Sequence, residues 1–233
     1  MIHTQNDFKA FPTRTTVLWS ERPAWLALIL SLLSALWPCC TGCATKVPLG
    51  PEVKGAIRSV SIDKSVPTPK DIFYHSTTQG RSATIPLVSS LLADIAAARE
   101  AAQLERAMRN GGIDPGQILR EQFESGLRSA GVFSSILSEG GDAEVKLQIT
   151  TFGFMEHVQS SSQLKPMLVV MGTLVRPDGS VVWKGSSEVT ALNSETPSHT
   201  LEDYVKDPQS IREALTVAAK VAVDDLVKSM REA

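Results

Sequence analysis

The chain has 233 residues, 42% of them apolar, with a formal net charge of −2. That is enough material for one sizeable core. A pI near 6.1 and 6% aromatic content exclude the basic, base-stacking surface that nucleic-acid binding requires, so no nucleic-acid partner is expected.

Ala24 to Trp37, AWLALILSLLSALW, runs without a charge. Fourteen residues of helix reach about 21 Å, short of a hydrocarbon core of about 30 Å. Lys9, Arg14 and Arg22 precede the run, Pro38 breaks it, and small residues follow. A basic leader, a short apolar stretch and a small-residue exit make a secretory signal; a buried core helix is the competing reading. All three cysteines, Cys39, Cys40 and Cys43, stand just beyond it. A disulfide among them and a metal site compete with an export role. His3, His75, His157 and His199 are scattered singly, however, and offer no ligand cluster.

The run CTGC, Cys40 to Cys43, resembles the lipobox of bacterial lipoproteins, although Cys40 stands where Leu is usual. The resemblance implies cleavage between Gly42 and Cys43. It also implies a thioether-linked diacylglycerol on Cys43 and a further amide-linked chain, such as palmitate. One acyl chain binds a membrane marginally, whereas several hold it stably. Ala44 occupies the place where an Asp signals inner-membrane retention in enteric bacteria, which implies the outer membrane.

In the mature chain, residues 44–54 carry two prolines and a glycine and read as a flexible tether continuing from Cys43. A single periplasmic domain over 55–233 is expected to follow. Gly55–Ile62 reads as a first strand. Pro86–Asn110 reads as an inserted helix with Leu87, Leu91, Ile95, Ala98 and Ala102 on its buried side; its first half could instead meet a partner or lipid. Asp114-Pro115, with Gln117 placed for a capping box, starts a helix whose stripe is Leu119, Phe123, Leu127 and Ala130 and which Gly131 stops. Ala143–Thr150 alternates as a half-wet strand, with a bulge expected near Thr150–Thr151. Two more strands flank the turn Pro177-Asp178-Gly179. Asp207-Pro208 opens a last helix with Ile211, Leu215, Ala218, Ala222 and Leu226 on one face. The expected fold is α+β: an antiparallel sheet with helices on one face, in the order strand, helix, helix, three strands, helix.

The stretches FESGLRSAGVFSSIL, DAEVKLQITTF and RPDGSVVWKGSSEV resemble those of small bacterial envelope lipoproteins with a domain similar to the N-terminal domain of TolB. Such proteins serve as accessory subunits of transport machines, outer-membrane assembly factors or activators of wall synthases. The resemblance implies a membrane attachment through lipid, other envelope proteins as partners, and no cofactor.

Chemistry is sparse. Ser61–Lys64 and Ser162–Lys165 match S-x-x-K, but that acylating motif needs its serine at a helix start, and both stretches lie outside the expected helices. Glu139, Asp142 and Glu144 read as a solvated turn, and Asp224 and Asp225 as a wet helix face. Trp183 reads as core, with a partner anchor as the alternative. The expectation is a non-catalytic, lipid-anchored accessory subunit. A carrier with a pocket between sheet and helices, or an anchored serine hydrolase, are the alternatives.

Overall fold

A computed structural model describes residues 46–75, 86–157 and 162–232, with the side chains of 86–94 outside the description. The leader, Gly42 and Cys43 therefore lie outside the described residues. Residues 45–233 form one compact unit. The elements are α1 (Pro51–Ala56), β1 (Ser59–Ile62), β2 (Phe73–His75), α2 (Pro86–Asn110), α3 (Pro115–Ala130), β3 (Ser135–Leu137), β4 (Ala143–Glu156), β5 (Gln163–Val175), β6 (Val181–Val189), β7 (His199–Thr200), α4 (Leu201–Lys206) and α5 (Pro208–Arg231).

The fold is α+β, as expected. The sheet runs β3-β1-β4-β5-β6, with β2 on β4 and β7 on β5. Its long strands β4, β5 and β6 are antiparallel. The sheet as a whole is mixed, because β1 joins both β3 and β4 in parallel and β2 also pairs β4 in parallel. A strand that returns through helices arrives pointing the same way, and β1 reaches β3 and β4 only after α2 and α3. The expected first strand is half as long as its sequence suggested, since α1 takes its beginning.

β4 carries the expected bulge. Its pairing with β5 slips between Ile149 and Thr151, and the Thr150 hydroxyl donates to the Val169 carbonyl at 3.2 Å. One extra residue inverts the alternation: Val145, Leu147 and Ile149 face the core before it, Phe152 and Phe154 after it. Gly153 admits β2, because a Cβ there would lie 1.8 Å from the Phe73 carbonyl oxygen.

One face of the sheet is covered by α5, which packs on β5 and β6 and against α3. Trp183 lies in this interface, 1% exposed. Gly172 and Gly185, paired across β5 and β6, make room for the indole; a Cβ on either would come within 2.8 Å of its ring atoms. Its Nε1 donates to Ser229 Oγ at 3.3 Å, so the one polar atom of the ring is satisfied in the interior. The helices start as their sequences dictate. Asp114 Oδ1 accepts from the Gly116 and Gln117 amides at 2.8 and 3.3 Å, and Asp207 Oδ1 from the Gln209 amide at 3.1 Å. The expected capping box at Gln117 is absent, because its amide donates to Glu121 instead. Thr200 and Asp203 form the reciprocal box at α4.

Candidate functional site

Side chains of chemical interest gather at the charge-bearing end of the sheet, at the place where the N-terminal segment joins the body, and on the surfaces left open around them.

At the end of β4 and start of β5, Glu156 and Lys165 are the buried charged side chains among the described residues, 8% and 5% exposed. They belong to neighbouring rungs, Glu156 opposite Leu164 and Met155 opposite Lys165, so their side chains leave on opposite faces. On the face bearing Phe154, Tyr74 of β2 hydrogen-bonds the Glu100 carboxylate of α2. Burial first, then that bond and the charges of Glu100 and Glu156, pushes the Tyr74 phenol well above its ordinary value. It remains a protonated donor, which closes the gap between β2 and α2. The Tyr204 ring lies tilted against Phe154 with centroids 4.8 Å apart, and its hydroxyl donates to the Leu164 carbonyl at 3.3 Å. On the other face Lys165 Nζ donates to the Asn193 carbonyl at 2.8 Å, and His157 Nδ1 meets the Ala191 carbonyl at 2.8 Å. Both bonds fasten the loop after β6 to the sheet. Sequence reading picked out Lys165 only within an S-x-x-K match and His157 only as a lone histidine, and neither signal points to these bonds.

The N-terminal segment docks earlier than its composition suggested. Val47 and Lys184 exchange backbone hydrogen bonds, Val47 N to Lys184 O at 3.0 Å and Lys184 N to Val47 O at 2.9 Å, so Val47 adds a bridge to the outer edge of β6. Leu49 is fully buried, and Lys54 Nζ donates to the Arg231 carbonyl at the end of α5 at 3.3 Å. The tether read over residues 43–54 is thus fixed to the body from Val47 onward. Prolines and a glycine signalled a loop, but one apolar side chain at Leu49 found the core.

Between α3 and α5 runs an open groove of about 470 Å³, lined by Ser125, Gly126 and Ser129 on one wall and Lys220, Asp224 and Lys228 on the other. Gly126 sets its depth, since a Cβ there would come 2.6 Å from Val223 Cγ1. The helix-free face of the sheet presents Met167, Val169, Met171 and Val175 along β5, all half-buried, beside Lys146 and Gln148 of β4. A shallow recess of about 290 Å³ opens there between Asp63, Pro67, Gln148 and Met171.

The residues flagged from sequence that fall within the described region have definite places. Trp183 is enclosed, so in this structure no part of it is available to a partner. Among the described residues, Trp183, Tyr204, Phe123 and Phe154 are fully buried in the core between sheet and helices, where the alternative carrier reading puts its pocket. Ser61 is buried in β1, Lys64 pairs with Glu139 in solvent, and Lys165 lies in β5. Neither S-x-x-K match therefore sits on a helix, and the proton relay that motif requires has no geometry here. Asp142 does more than border a turn. It accepts from the Arg58 and Ser59 amides at 2.8 and 2.9 Å and from the Ser59 hydroxyl at 3.0 Å. Those donors, the Ser59 amide foremost, hold its carboxyl below the usual range. Asp225 accepts from Ser187 Oγ at 3.0 Å. Among the described residues no group of three or more metal-binding side chains occurs, and none of their helices is long and apolar enough to cross a membrane.

No family model and no curated protein matches the chain. Solved structures offer distant likenesses. A PelC dodecamer from Paraburkholderia phytofirmans has 10% identity over 74% of this chain and 85% of that one, with a TM-score of 0.36. Protein XCC0632 from Xanthomonas campestris, of the DUF330 group, has 12% identity over 73% and 81%, with a TM-score of 0.35. Lipoprotein GNA1162 from Neisseria meningitidis has 17% identity over 57% and 81%, with a TM-score of 0.21. At these scores the likenesses carry neither a shared role nor a shared assembly to this chain.

Proposed function

We propose that the protein is a lipid-anchored, periplasm-facing, non-catalytic accessory subunit of a cell-envelope assembly or transport machine, acting through protein–protein contacts at the outer membrane. The observation that carries this reading is the junction of leader and body. The sequence CTGC ends at Cys43, and four residues later Val47 is already part of the sheet. A folded body that begins so close behind a lipobox-like run suits a protein whose first mature residue is its attachment point.

Two features support contact rather than chemistry. The exposed carboxylates that the sequence singled out serve local structure: Asp142 clamps the start of β1, and Glu139 pairs with Lys64. The helix-free face of the sheet offers a half-buried row of Met167, Val169, Met171 and Val175, flanked by polar strands, which suits a partner's apolar surface.

The test is Cys43→Ala in the full-length chain. Wild type is expected in the membrane fraction, with an N-terminal mass matching cleavage after Gly42 plus acyl chains. The variant is expected to leave the membrane fraction almost entirely. Membrane recovery of the variant at wild-type levels, or an unlipidated wild-type terminus, would overturn the reading.

A further inference from the structure

The docked N-terminus sets how far the body can stand from its anchor, and which side faces it. Four peptide units separate Cys43 from Val47, and four extended residues span at most about 14 Å. Val47 bonds to the outer edge of β6. The opposite edge of the sheet is β3, five inter-strand steps from Val47 by way of β6, β5, β4 and β1. At about 4.8 Å per step that edge is roughly 24 Å away, beyond the reach of the leash.

The charge nearest the Val47 bridge is mainly positive. Lys46 precedes Val47 and is exposed. Lys184 is its bridge partner. Lys54 bonds the Arg231 carbonyl, which brings α1 onto the last turn of α5, where Lys228 and Arg231 are exposed. Against these five cations stand the carboxylates of Glu52, exposed on α1, and Glu232, which pairs with Lys228 at 3.7 Å. Further along β6 and α5 stand exposed Glu188 and Asp225, the latter bonded to Ser187 Oγ. The chain as a whole is slightly acidic, so this cluster departs from its average.

Resting on the lipidation of Cys43 proposed above, we propose that the β6 edge and the last turn of α5 form a membrane-facing surface that meets anionic lipid headgroups. Lys46, Lys54, Lys184, Lys228 and Arg231 contact the bilayer, while the β3 edge points into the periplasm. Cations near an anionic leaflet are attracted within about a Debye length of it, and the leash keeps these five inside that range. The three-residue strand β3 and the helix-free face of the sheet between the two edges are then the parts presented to other proteins.

The experiment uses the full-length lipidated protein in vesicles of phosphatidylcholine, with or without phosphatidylglycerol, containing a headgroup-attached nitroxide quencher. In the processed chain Cys39 and Cys40 have left with the leader and the Cys43 sulfur is alkylated, so an introduced cysteine is the one labelled thiol. Val181→Cys at the start of β6 and Leu137→Cys in β3 replace exposed side chains, 49% and 41% exposed, and each carries a fluorophore. In phosphatidylglycerol vesicles the label at 181 is expected to be quenched several-fold more than the label at 137. Adding Lys54→Glu, Lys184→Glu and Arg231→Glu together, or omitting phosphatidylglycerol, is expected to bring the two close to equality. So is a Gly-Ser insertion after Thr45, which lengthens the leash without altering a charge. Equal quenching at both positions in the unmodified protein, with mass measurement confirming lipid on Cys43, would overturn the proposal and leave the anchor reading intact. A contrast that persists without phosphatidylglycerol would overturn the headgroup assignment. A terminus without lipid would overturn the anchor reading, and the proposal with it.

Discussion

Helices α2 and α5 are almost the same length, 25 and 24 residues, and both are rich in alanine, yet they sit in the molecule quite differently. α5 buries eleven residues, including the full stripe Ile211, Leu215, Ala218, Ala222 and Leu226. On α2 the expected stripe is open where it can be followed: Ile95 is 42% exposed, Ala98 is exposed and Ala102 half-buried. Its buried side chains, among those described, are Leu104, Ala107 and Met108, in the half crowded by Glu105, Arg106 and Arg109. Periodicity tells which residues share a face of a helix. Whether anything lies against that face depends on where the rest of the chain goes.

The largest effect should come from the layer that α5 closes. Trp183→Ala removes an enclosed indole whose slot is walled by Gly172 and Gly185, neither of which can expand to fill the space. A loss of about 3–5 kcal/mol is expected, read as a lower midpoint in urea denaturation. A loss comparable to that of a surface substitution would mean that α5 does not seal this interface, and would erase the contrast between the helices.

A second prediction concerns groups for which exposure and structural weight part company. The Asp142 carboxyl is held low by the Ser59 and Arg58 amides and the Ser59 hydroxyl. Asp203 is held low by Thr200 and Asp178 by Ser180, through hydroxyl and then amide in each case. A folded-state value below the unfolded one means the charged form binds the fold more tightly. Its contribution is present above the ordinary aspartate value of 3.8 and fades as pH falls through the lowered value. Thermal midpoints should therefore hold steady from neutrality toward pH 5 and drop below about pH 4. Asp142→Asn keeps an acceptor but loses the charge, so it should lower the neutral-pH midpoint and flatten part of the acid limb. An acid limb identical to wild type would show that the clamp at β1 contributes nothing.

Much of this architecture was legible because single residues carry strong local signals. Asp114-Pro115 and Gly131 bound α3, Asp207-Pro208 opens α5, and the shift from Ile149 to Phe152 announced the bulge. The missed strands lack such signals. β2, β3 and β7 have two or three residues, too few for alternation to show, and they form because longer neighbours offer them an edge. The parallel entry of β1 is fixed by long-range pairing with β3 and β4, which no window along the chain contains. The same holds at the sites: the docking of Val47 on Lys184 and the burial of Lys165 depend on partners 137 and 28 residues away.

The smallest expected effect gives the cleanest contrast, because both of its halves lie on one helix. Ile95→Ser alters an apolar side chain that helical periodicity would place in the core. With 42% of its surface in water, it should change stability by no more than about 0.5 kcal/mol. Leu104→Ala, nine residues further along α2 and fully buried, should cost about 2–5 kcal/mol. Both values come from the same denaturation experiment, and helix propensity cannot account for the gap, since serine is the poorer helix former and alanine the best. A large loss at Ile95 would mean that the first half of α2 is covered in the folded protein, and the stripe read from Leu87 to Ala102 would then describe a true interface.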